Sequence, residues 1–408
     1  MAKALFIICD GLGDRPIKEF NGKTPLEAAK TPNLDRLARE GITGLMHTLG
    51  VGIRPGSDTA TLTLLGYEVD KYYSGRGPFE AAGIGMDLRH GDVAFRGNVA
   101  TVDDNLIIKD RRAGRPADTV PYVEALGERV KVEDVEFFLK PGTGHRIGVV
   151  MHGPGLSAAI TDPDPHEVGL RVVESSATDG SPEAKKTARI LNAFLLKCHQ
   201  VLKDIPENKK RVAEGKPPVN FVLVRGAGVV TKIPPFQERY HMKAACVAGA
   251  GLYKGVAKAV GFDILDCEGA TGKPDTNVRN KFLRAKKAFE EGYEYVFVHV
   301  KAADNLAEDG NFEGKKAFIE KIDAASDVLL SMDDTVIALT GDHSTSCTLK
   351  AHTGDPVPIF MWGPGVRPDG VQEFGERPCM TGGLGHIKGS KVLQEILNLL
   401  GKQHLVGA

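Results

Sequence analysis

Residues 335–345 read TVIALTGDHST, an apolar run of strand type that ends in an acid and an imidazole, Asp342 and His343. A second imidazole follows at His352. Charged and polar side chains are not packing residues at the end of a buried strand, because burying them without partners costs free energy. Carboxylate and imidazole groups are ligands that divalent metal ions take in proteins. The stretch therefore predicts a sheet strand with a metal site at its carboxyl end.

Two other apolar runs lead to acids in the same way. Residues 4–9 read ALFIIC and precede Asp10, and residues 296–300 read VFVHV and precede Asp304. In doubly wound sheets the ligand site lies beyond the carboxyl ends of the strands. An acid that caps a turn would explain any one of these residues, but it explains the set poorly. We therefore expect acids from distant segments to meet around a divalent ion.

Strand and helix patterns alternate at both ends of the chain, whereas the middle reads as hairpins and one long helix. Alternation of this kind predicts a parallel sheet with helices on both faces. We expect an α/β fold, with a mostly parallel sheet formed by residues 1–72 plus 240–408. An inserted α+β domain of residues 73–239 interrupts this core.

Local patterns predict individual elements. A capping box is expected at Thr24 and Glu27, with Pro25 at the first helical position. Helices are expected at residues 182–202, 244–259, 276–291, 314–330 and 389–400. Strands are expected at 262–265, 295–300, 335–339 and 357–361, and hairpins at 93–108 and 135–151. The charged residues 207–218 read as a solvated connection.

The composition excludes several classes of protein. The chain has 408 residues and a net charge of −1, so it carries no overall field that would attract nucleic acid or acidic membranes. No apolar run approaches the roughly 20 residues that span a bilayer. The six cysteines are scattered, which is typical of free thiols in a cytoplasmic protein. We expect neither a nucleic-acid partner nor a membrane.

Ser57 follows Pro55 and Gly56 at a predicted helix start. A serine in this position is by default a helix N-cap. Beside a metal site it is also a candidate nucleophile, because a helix N-terminus and a bound cation favour an alkoxide and the phosphate it would carry. The glycine patterns of nucleotide-binding loops do not occur in the sequence, so no nucleotide cofactor is expected.

Ten short motifs together resemble one family. They are IICDGLGDRP (7–16), TPLE (24–27), TPN (31–33), GSDTA (56–60), DRRAGR (110–115), GHR (144–146), RGAG (225–228), GATG (269–272), GDHST (341–345) and HTGDPVP (352–358). The chain resembles, almost end to end, the archaeal-type cofactor-independent phosphoglycerate mutases of the alkaline phosphatase superfamily.

The resemblance implies an alkaline-phosphatase-like core and a cytoplasmic enzyme of glycolysis and gluconeogenesis. It implies interconversion of 3-phosphoglycerate and 2-phosphoglycerate through a phosphoserine at Ser57, with two divalent metal ions and without 2,3-bisphosphoglycerate. The partner would be a small phosphorylated hydroxy acid, and the chain would be a monomer or a small homo-oligomer.

The resemblance also implies metal ligands at the positions of this sequence that match the family's motifs. One site is implied by Asp10, Ser57, Asp342 and His343, and the other by Asp304 and His352. The family has a histidine four residues after the aspartate of the second site, where this chain has Glu308. A glutamate ligand favours harder ions, so we expect Mn²⁺ or Mg²⁺, with Co²⁺ or Zn²⁺ as possible substitutes.

The insertion supplies cationic side chains that suit a phosphorylated acid, since guanidinium groups bind carboxylate and phosphate through two parallel hydrogen bonds. The candidates for substrate binding are Arg96, Arg111, Arg112, Arg115, His145, Arg146, His166 and Arg225. Asp110 resembles the general acid/base position of the wider mutase group, and Lys243, at a predicted helix start, would neutralise the transferring phosphate. Surface salt bridges and a solvated lysine are the ordinary alternatives.

Three other functions fit the same residues. The chain would be a metal-dependent phosphohydrolase, a homoserine-kinase-like phosphotransferase of the same superfamily, or a binding homologue that lost a metal through Glu308. The arginines at 111–115 favour the mutase, because a site that retains free glycerate needs a carboxylate clamp and a hydrolase does not.

Overall fold

A computed structural model describes residues 3–127, 129–403, 405 and 407. The chain divides into two compact units, Met1–Tyr72 with Ile233–Ala408, and Tyr73–Lys232. No helix in the described ranges is long and apolar enough to cross a membrane.

The strands of the described residues are, in chain order, β1 (Lys3–Cys9), β2 (Ile42–His47), β3 (Val93–Val102), β4 (Ile108–Asp110), β5 (Arg129–Val132), β6 (Val135–Pro141), β7 (Arg146–His152), β8 (Phe221–Val229), β9 (Ala244–Val247), β10 (Asp263–Ile264), β11 (Tyr295–Val300), β12 (Thr335–Thr340), β13 (Ser344–Ser346), β14 (Ala351–Thr353), β15 (Val357–Trp362) and β16 (Gly385–Lys388).

The α-helices of the same residues are α1 (Pro25–Ala28), α2 (Pro32–Arg39), α3 (Ser57–Leu64), α4 (Val69–Tyr72), α5 (Gly77–Gly83), α6 (Val120–Leu126), α7 (Pro182–Leu202), α8 (Pro206–Ala213), α9 (Phe236–Tyr240), α10 (Gly251–Ala259), α11 (Val278–Glu290), α12 (Ala302–Glu308), α13 (Phe312–Ala325) and α14 (Gly389–Leu399). The predicted capping box is confirmed at the start of α1, where the Thr24 hydroxyl accepts a hydrogen bond from the backbone N–H of Glu27.

The first unit contains an eight-stranded sheet with the order β10-β9-β11-β1-β12-β15-β2-β16. Strand β1 is parallel to both of its neighbours, and its residues from Ala4 to Cys9 are fully buried. Strand β15 runs antiparallel to β12 and β2. Helices α10 and α14 each contact α3, and helices α1, α2 and α11 each contact α13. The mostly parallel α/β core is confirmed.

The register of the central strands sets where their carboxyl ends lie. Cys9 pairs with Val300 of β11, and Ile8 pairs with Thr340 of β12. The three parallel strands therefore end at the same level. The segments that follow them leave the sheet at one edge, as the sequence predicts for the acid-bearing segments.

The second unit contains an antiparallel sheet with the order β4-β3-β7-β6-β5. Strand β8 also pairs with β3, along the edge opposite to β7. The two predicted hairpin pairings are confirmed, β3 with β4 and β6 with β7. Side chains alternate along each strand. On one face Phe95 and Phe137 belong to the apolar core that includes α7, and on the other Ala94 packs with residues of α5.

The predicted helix at residues 244–259 was wrong in its first part. Residues 244–247 form strand β9, which lies between β10 and β11, and α10 begins only at Gly251. All four residues of β9 are buried. A short, fully buried apolar run has no periodicity that distinguishes a strand from a helix.

The predicted solvated connection at 207–218 is mostly exposed, but it is not irregular throughout, since α8 occupies its first half. The buried side chains of this helix are polar and hydrogen-bonded. The Asn208 amide donates to the carbonyl oxygens of Leu202 and Val219, both at 2.7 Å, and Arg211 donates to the Ala113 carbonyl at 2.6 Å. These two buried side chains attach an otherwise exposed helix to the second unit. Strand β2 was not predicted at all.

A buried ion pair fastens the loops at the carboxyl edge of the first sheet. The Lys315 ammonium lies 2.9 Å from Asp14 Oδ2, and both side chains are 0% exposed. The same ammonium donates to the carbonyl oxygens of Gly13 at 3.0 Å and Thr345 at 2.9 Å. A buried charge is tolerated only when it is paired and fully hydrogen-bonded. This pair therefore holds the segment after β1 against the segment that carries β13.

We predict that Lys315→Met lowers the free energy of unfolding by about 3 to 5 kcal/mol, because Asp14 is left buried without its counter-charge. Urea denaturation measures the change. Lys316→Met on the same helix is the control, with an expected loss below about 1 kcal/mol. Adding Asp14→Asn to the Lys315 variant should recover part of the loss. A cost for Lys315→Met no larger than that of the control would contradict this account.

Candidate active site

Three carboxylates lie together at the carboxyl edge of the first sheet. Asp10 follows β1, Asp342 follows β12, and Asp304 lies in the first turn of α12, directly after β11. Asp10 and Asp342 are 0% exposed, and Asp304 is 1% exposed. Buried carboxylates in such proximity repel one another unless positive charge compensates them.

Two groups of metal-ligand type form around these acids. In the group of Asp10, Asp342 and His343, the ligand atoms lie within 4.8 Å of one another, and the same holds for Asp304, His343 and His352. The His343 Nε2 atom lies 3.4 Å from both Asp10 Oδ1 and Asp342 Oδ2. The His352 Nε2 atom lies 3.3 Å from Asp304 Oδ1. The groups share His343, whose ring stacks on that of His352 with 3.6 Å between ring centres.

The electrostatics of these groups fit divalent cations. Asp10 Oδ1 and Asp342 Oδ2 are buried and have no hydrogen-bond partner among the residues that the structure describes. Burial, with the charges of Asp10 and Asp304, raises the pKa of Asp342 well above its ordinary value. Burial also lowers the pKa of His343 to about 3, so its imidazole is neutral at pH 7. Neutral imidazole and ionised carboxylate are the forms that bind metal ions, and a bound cation would offset the repulsion that raises the pKa of Asp342.

Ser57 lies beside the first group. It is the first residue of α3, and Gly56 is the N-cap, so the alternative that Ser57 itself caps the helix is wrong. Ser57 is 5% exposed, and its Oγ atom lies 3.3 Å from His343 Nε2. A hydroxyl at a helix N-terminus, next to a cation-binding group, is placed to act as a nucleophile.

A second set of polar residues supports the acids. The Lys301 ammonium lies 3.0 Å from Asp10 Oδ2 and 2.8 Å from Asp304 Oδ2. The Thr345 hydroxyl donates to Asp304 Oδ1 at 2.8 Å, and Tyr253 donates its hydroxyl hydrogen to Asp10 Oδ2. Burial raises the pKa of Tyr253 well above its ordinary value, so this hydroxyl remains a donor.

The second unit carries a cluster of arginines on one face of its sheet. Arg96 of β3 pairs in register with Arg225 of β8, and Asn98 pairs with Arg146 of β7, so all four side chains lie on the face that α5 covers. Burial lowers the pKa of the Arg96 guanidinium to about 9. The buried Glu80 carboxylate lies 3.6 Å from Arg96 and partly compensates its charge.

The loop after β4 adds further arginines. Asp110 accepts hydrogen bonds from the backbone N–H groups of Arg112 and Gly114, both at 2.7 Å, and so fixes the shape of this loop. Arg111 binds both carboxylate oxygens of Asp164, at 3.0 and 2.6 Å. His166 Nδ1 lies 3.1 Å from Arg111 Nη2 and 3.3 Å from Arg225 Nη1.

His145 lies in an electropositive environment to which arginines of the sheet and of the loop after β4 both contribute. Burial lowers its pKa to about 4, and the charges of Arg146, Arg112, Arg96 and Arg115 add to the effect. A neutral imidazole among several guanidinium groups suits an anionic ligand. The first unit thus groups side chains of metal-ligand type, and the second concentrates positive charge.

Comparison with known proteins identifies the family. A family model for 2,3-bisphosphoglycerate-independent phosphoglycerate mutase matches residues 38–208. The mutase of that name numbered 1 in Methanocaldococcus jannaschii is 47% identical over 410 residues, covering 100% of this chain and 99% of the relative. The mutase of Methanosphaera stadtmanae is 46% identical over 408 residues, covering all of both chains. The chain belongs to the 2,3-bisphosphoglycerate-independent phosphoglycerate mutase family.

Two solved structures resemble the fold of this family member closely. A Pyrococcus horikoshii protein matches with a TM-score of 0.86 and 39% identity, covering 100% of this chain and 99% of that protein. The cofactor-independent phosphoglycerate mutase of Thermoplasma acidophilum matches with a TM-score of 0.73 and 39% identity, covering 98% and 100% of the two chains. The recognition from the sequence motifs is confirmed.

Glu308 is the departure from the family pattern in the second ligand group. Its side chain is 53% exposed, and its Oε1 atom lies 3.9 Å from His352 Nε2. Burial, with the charge of Asp304, raises the pKa of Glu308 above its ordinary value. The carboxylate therefore lies at the rim of the group formed by Asp304, His343 and His352, within reach of the same space.

Lys243 does not lie near the metal-ligand groups of this mutase-family chain. It precedes the parallel strand β9, at the edge of the sheet opposite to the carboxyl ends. Its ammonium lies 4.3 Å from the centre of the Tyr293 ring. The predicted contact with a transferring phosphate rested on a helix start that is absent, because residues 244–247 form a strand.

Asp10 also contacts three residues that were not predicted, Lys301, His299 and Tyr253. His299 and Lys301 flank Val300, the last residue of β11. Because Val300 pairs with Cys9, Lys301 follows its strand at the same level as Asp10 follows β1. The reasoning that indicates Asp304, that polar residues at the carboxyl end of a buried strand lie at the ligand site, applies to them equally. No comparable signal marks Tyr253, which lies within the predicted helix and within α10 but is not at a strand end.

Proposed function

We propose that this chain interconverts 3-phosphoglycerate and 2-phosphoglycerate, with Ser57 as the group that carries the phosphoryl group between the two positions. The observation that supports this proposal is the 3.3 Å approach of Ser57 Oγ to His343 Nε2, the histidine shared by both ligand groups. The family relationship supplies the reaction, since relatives that match over the whole chain are named as mutases.

Two divalent cations would bind, one to Asp10, Ser57, Asp342 and His343, and the other to Asp304 and His352 with Glu308 at the rim. The neutral imidazole of His343 has one nitrogen lone pair, so it would serve one ion only. The two cations would supply positive charge that favours the serine alkoxide and neutralises the transferring phosphoryl group. The residues fit this role because two of the carboxylate oxygens are buried and have no hydrogen-bond partner in the described part of the chain.

The residues of the chain carry the group transfer itself. A bond forms between Ser57 Oγ and phosphorus while the bond from phosphorus to the substrate oxygen breaks. The serine loses its proton, and the departing glycerate oxygen gains one. The other hydroxyl of the glycerate then takes the phosphoryl group back from Ser57, with the proton transfers reversed. The burial of Ser57 limits access of water, which would otherwise hydrolyse the phosphoserine.

The arginines of the second unit would bind the carboxylate and phosphate of the substrate. The face that carries Arg96, Arg146 and Arg225, with the adjoining loop of Arg111, Arg112 and Arg115, concentrates positive charge that Glu80 and Asp164 only partly compensate. His145 and His166 lie among these groups. Asp110 holds the loop through backbone hydrogen bonds, and its general acid/base role stays a prediction.

Manganese or magnesium is the ion that we propose for the second group. Replacing the family histidine with Glu308 adds a carboxylate to a group that already holds Asp304, and carboxylate ligands favour hard cations over zinc. The half-exposed position of Glu308 lets its carboxylate turn toward an ion bound there.

Ser57→Ala should lower mutase turnover by about 10⁴-fold or more, because removing a covalent nucleophile leaves only binding and electrostatic contributions. A coupled assay that detects 2-phosphoglycerate measures the loss. Ser390→Ala, at an exposed serine of the same unit, should leave turnover unchanged. Substantial turnover in the Ser57 variant would exclude the covalent route. Release of inorganic phosphate without 2-phosphoglycerate by the unaltered chain would instead indicate a hydrolase.

Arg112→Ala should raise the KM for 3-phosphoglycerate about tenfold and change kcat by less than about threefold, because a charge-assisted contact that serves binding is lost. Steady-state kinetics in the same assay separates the two constants. Arg189→Ala is the matched control, since Arg189 lies on α7 against the other face of the sheet and pairs with Glu133. An unchanged KM in the Arg112 variant would remove this loop from the substrate site.

Glu308→His should shift the ratio of zinc to manganese bound by the chain about tenfold toward zinc, because an imidazole replaces a hard carboxylate. Equilibrium competition between the two ions, followed by elemental analysis of the protein, measures the ratio. Glu313→His, at an exposed residue of α13, is the control for adding a surface histidine. The same ratio in the Glu308 variant as in the control would show that Glu308 does not contact the ion.

A further inference from the structure

The carboxylates of Asp10 and Asp304 each face in two directions. Asp10 Oδ1 lies 3.4 Å from His343 Nε2, whereas its Oδ2 lies 3.0 Å from the Lys301 ammonium. Asp304 Oδ1 lies 3.3 Å from His352 Nε2, whereas its Oδ2 lies 2.8 Å from the same ammonium. In both acids, one oxygen faces the imidazoles of a ligand group and the other faces Lys301.

Lys301 reaches both acids because of its place in the chain. It is the N-cap of α12, one residue after β11 and three residues before Asp304. Its side chain is 24% exposed, and its ammonium also lies 3.3 Å from the Tyr253 hydroxyl. A lysine ammonium has three N–H donors, and these three partners account for all of them. These contacts direct the Lys301 ammonium toward groups of the protein.

Tyr253 fixes the same Asp10 oxygen from a different element. It lies on α10, and its hydroxyl donates to Asp10 Oδ2. Its ring stacks on His299 with 3.3 Å between ring centres, and both residues are about 1% exposed. The contact of Tyr253 is with Asp10, whereas Lys301 contacts Asp10 and Asp304. The two residues consequently differ in which ligand groups they support.

We propose that Lys301 is a positioning residue that joins the two ligand groups, by holding the oxygens of Asp10 and Asp304 that face away from the imidazoles. A cation bound by one group then orients, through Lys301, the carboxylate of the other group for binding its own cation. This inference rests on the proposed two-ion function and goes beyond it, because it assigns the coupling between the ions to a side chain that binds neither ion.

Two effects of Lys301 oppose each other. Its positive charge repels an entering cation, which weakens binding. Its hydrogen bonds hold two mutually repelling carboxylates in the orientation that ligands need, which strengthens binding. Partners of this outer kind commonly change metal affinity by 10- to 100-fold when they are removed, roughly the effect expected here. The proposal requires that orientation outweighs repulsion, and this sign is measurable.

Titration of the metal-free full chain with Mn²⁺, by calorimetry and by electron paramagnetic resonance, tests the proposal without using turnover. In the unaltered chain two ions should bind with coupled affinities and give a spin-coupled signal. In Lys301→Met both affinities should fall about 10- to 100-fold, and binding at one group should no longer affect the other. Lys258→Met, which removes an exposed lysine of α10, should titrate like the unaltered chain.

Tyr253→Phe provides a second variant that keeps the ring stack and removes only the hydroxyl. It should weaken the group of Asp10, Asp342 and His343 about tenfold and leave the group of Asp304 within about twofold. Repeating the titration with His352→Asn added, which disables the second group, identifies the affected ion. Circular dichroism on each metal-free variant checks that the fold is retained.

Equal or tighter binding of both ions in Lys301→Met, with the Tyr253 variant unchanged, would overturn the proposal. Fewer than two bound ions in the unaltered chain would overturn it as well. If two coupled ions bind but no 2-phosphoglycerate forms, the proposed function fails, while the titrations still decide the role of Lys301. The failures of the two proposals are therefore distinguishable.

Discussion

The mutual repulsion of three buried carboxylates governs the active-site end of the first unit. Asp10, Asp304 and Asp342 are nearly or fully buried, and one ammonium, that of Lys301, lies within hydrogen-bond distance of two of them. Burial and repulsion together raise the pKa of Asp342. One lysine cannot compensate three acids, so the arrangement is most stable with further cations. The metal requirement thus follows from how the sheet places its strand ends.

Much of this arrangement was predictable because it depends on strand ends. Three apolar runs precede the acids, and parallel strands that are neighbours in a sheet bring their carboxyl ends together. The order β11-β1-β12 and the register of Cys9 with Val300 confirm that reasoning. The inserted hairpins were predictable for a related reason, since alternation of side chains and turn residues are local signals.

The errors arose where local signals are weak or depend on distant partners. The four residues of β9 are too few to show a period, and the mistake moved Lys243 to the wrong edge of the sheet. Helix α8 is largely exposed and buries only Asn208 and Arg211, whose partners lie outside the helix, so its sequence has no apolar stripe that would indicate a helix. Lys301 depends on Asp10, nearly 300 residues away. Contacts between residues so far apart in the sequence are not predictable from local sequence patterns.

The second unit presents the opposite electrostatic problem on one face of its sheet. Arg96 is buried enough that its pKa falls to about 9, and the Glu80 carboxylate between Arg76 and Arg96 compensates only part of the positive charge. Burial opposes ionisation of Glu80, yet these guanidinium groups hold its pKa below the ordinary value. Buried charge that the protein does not fully compensate is costly unless a ligand of opposite sign binds. A ligand of opposite charge would therefore stabilise each unit, cations for the first and an anion for the second.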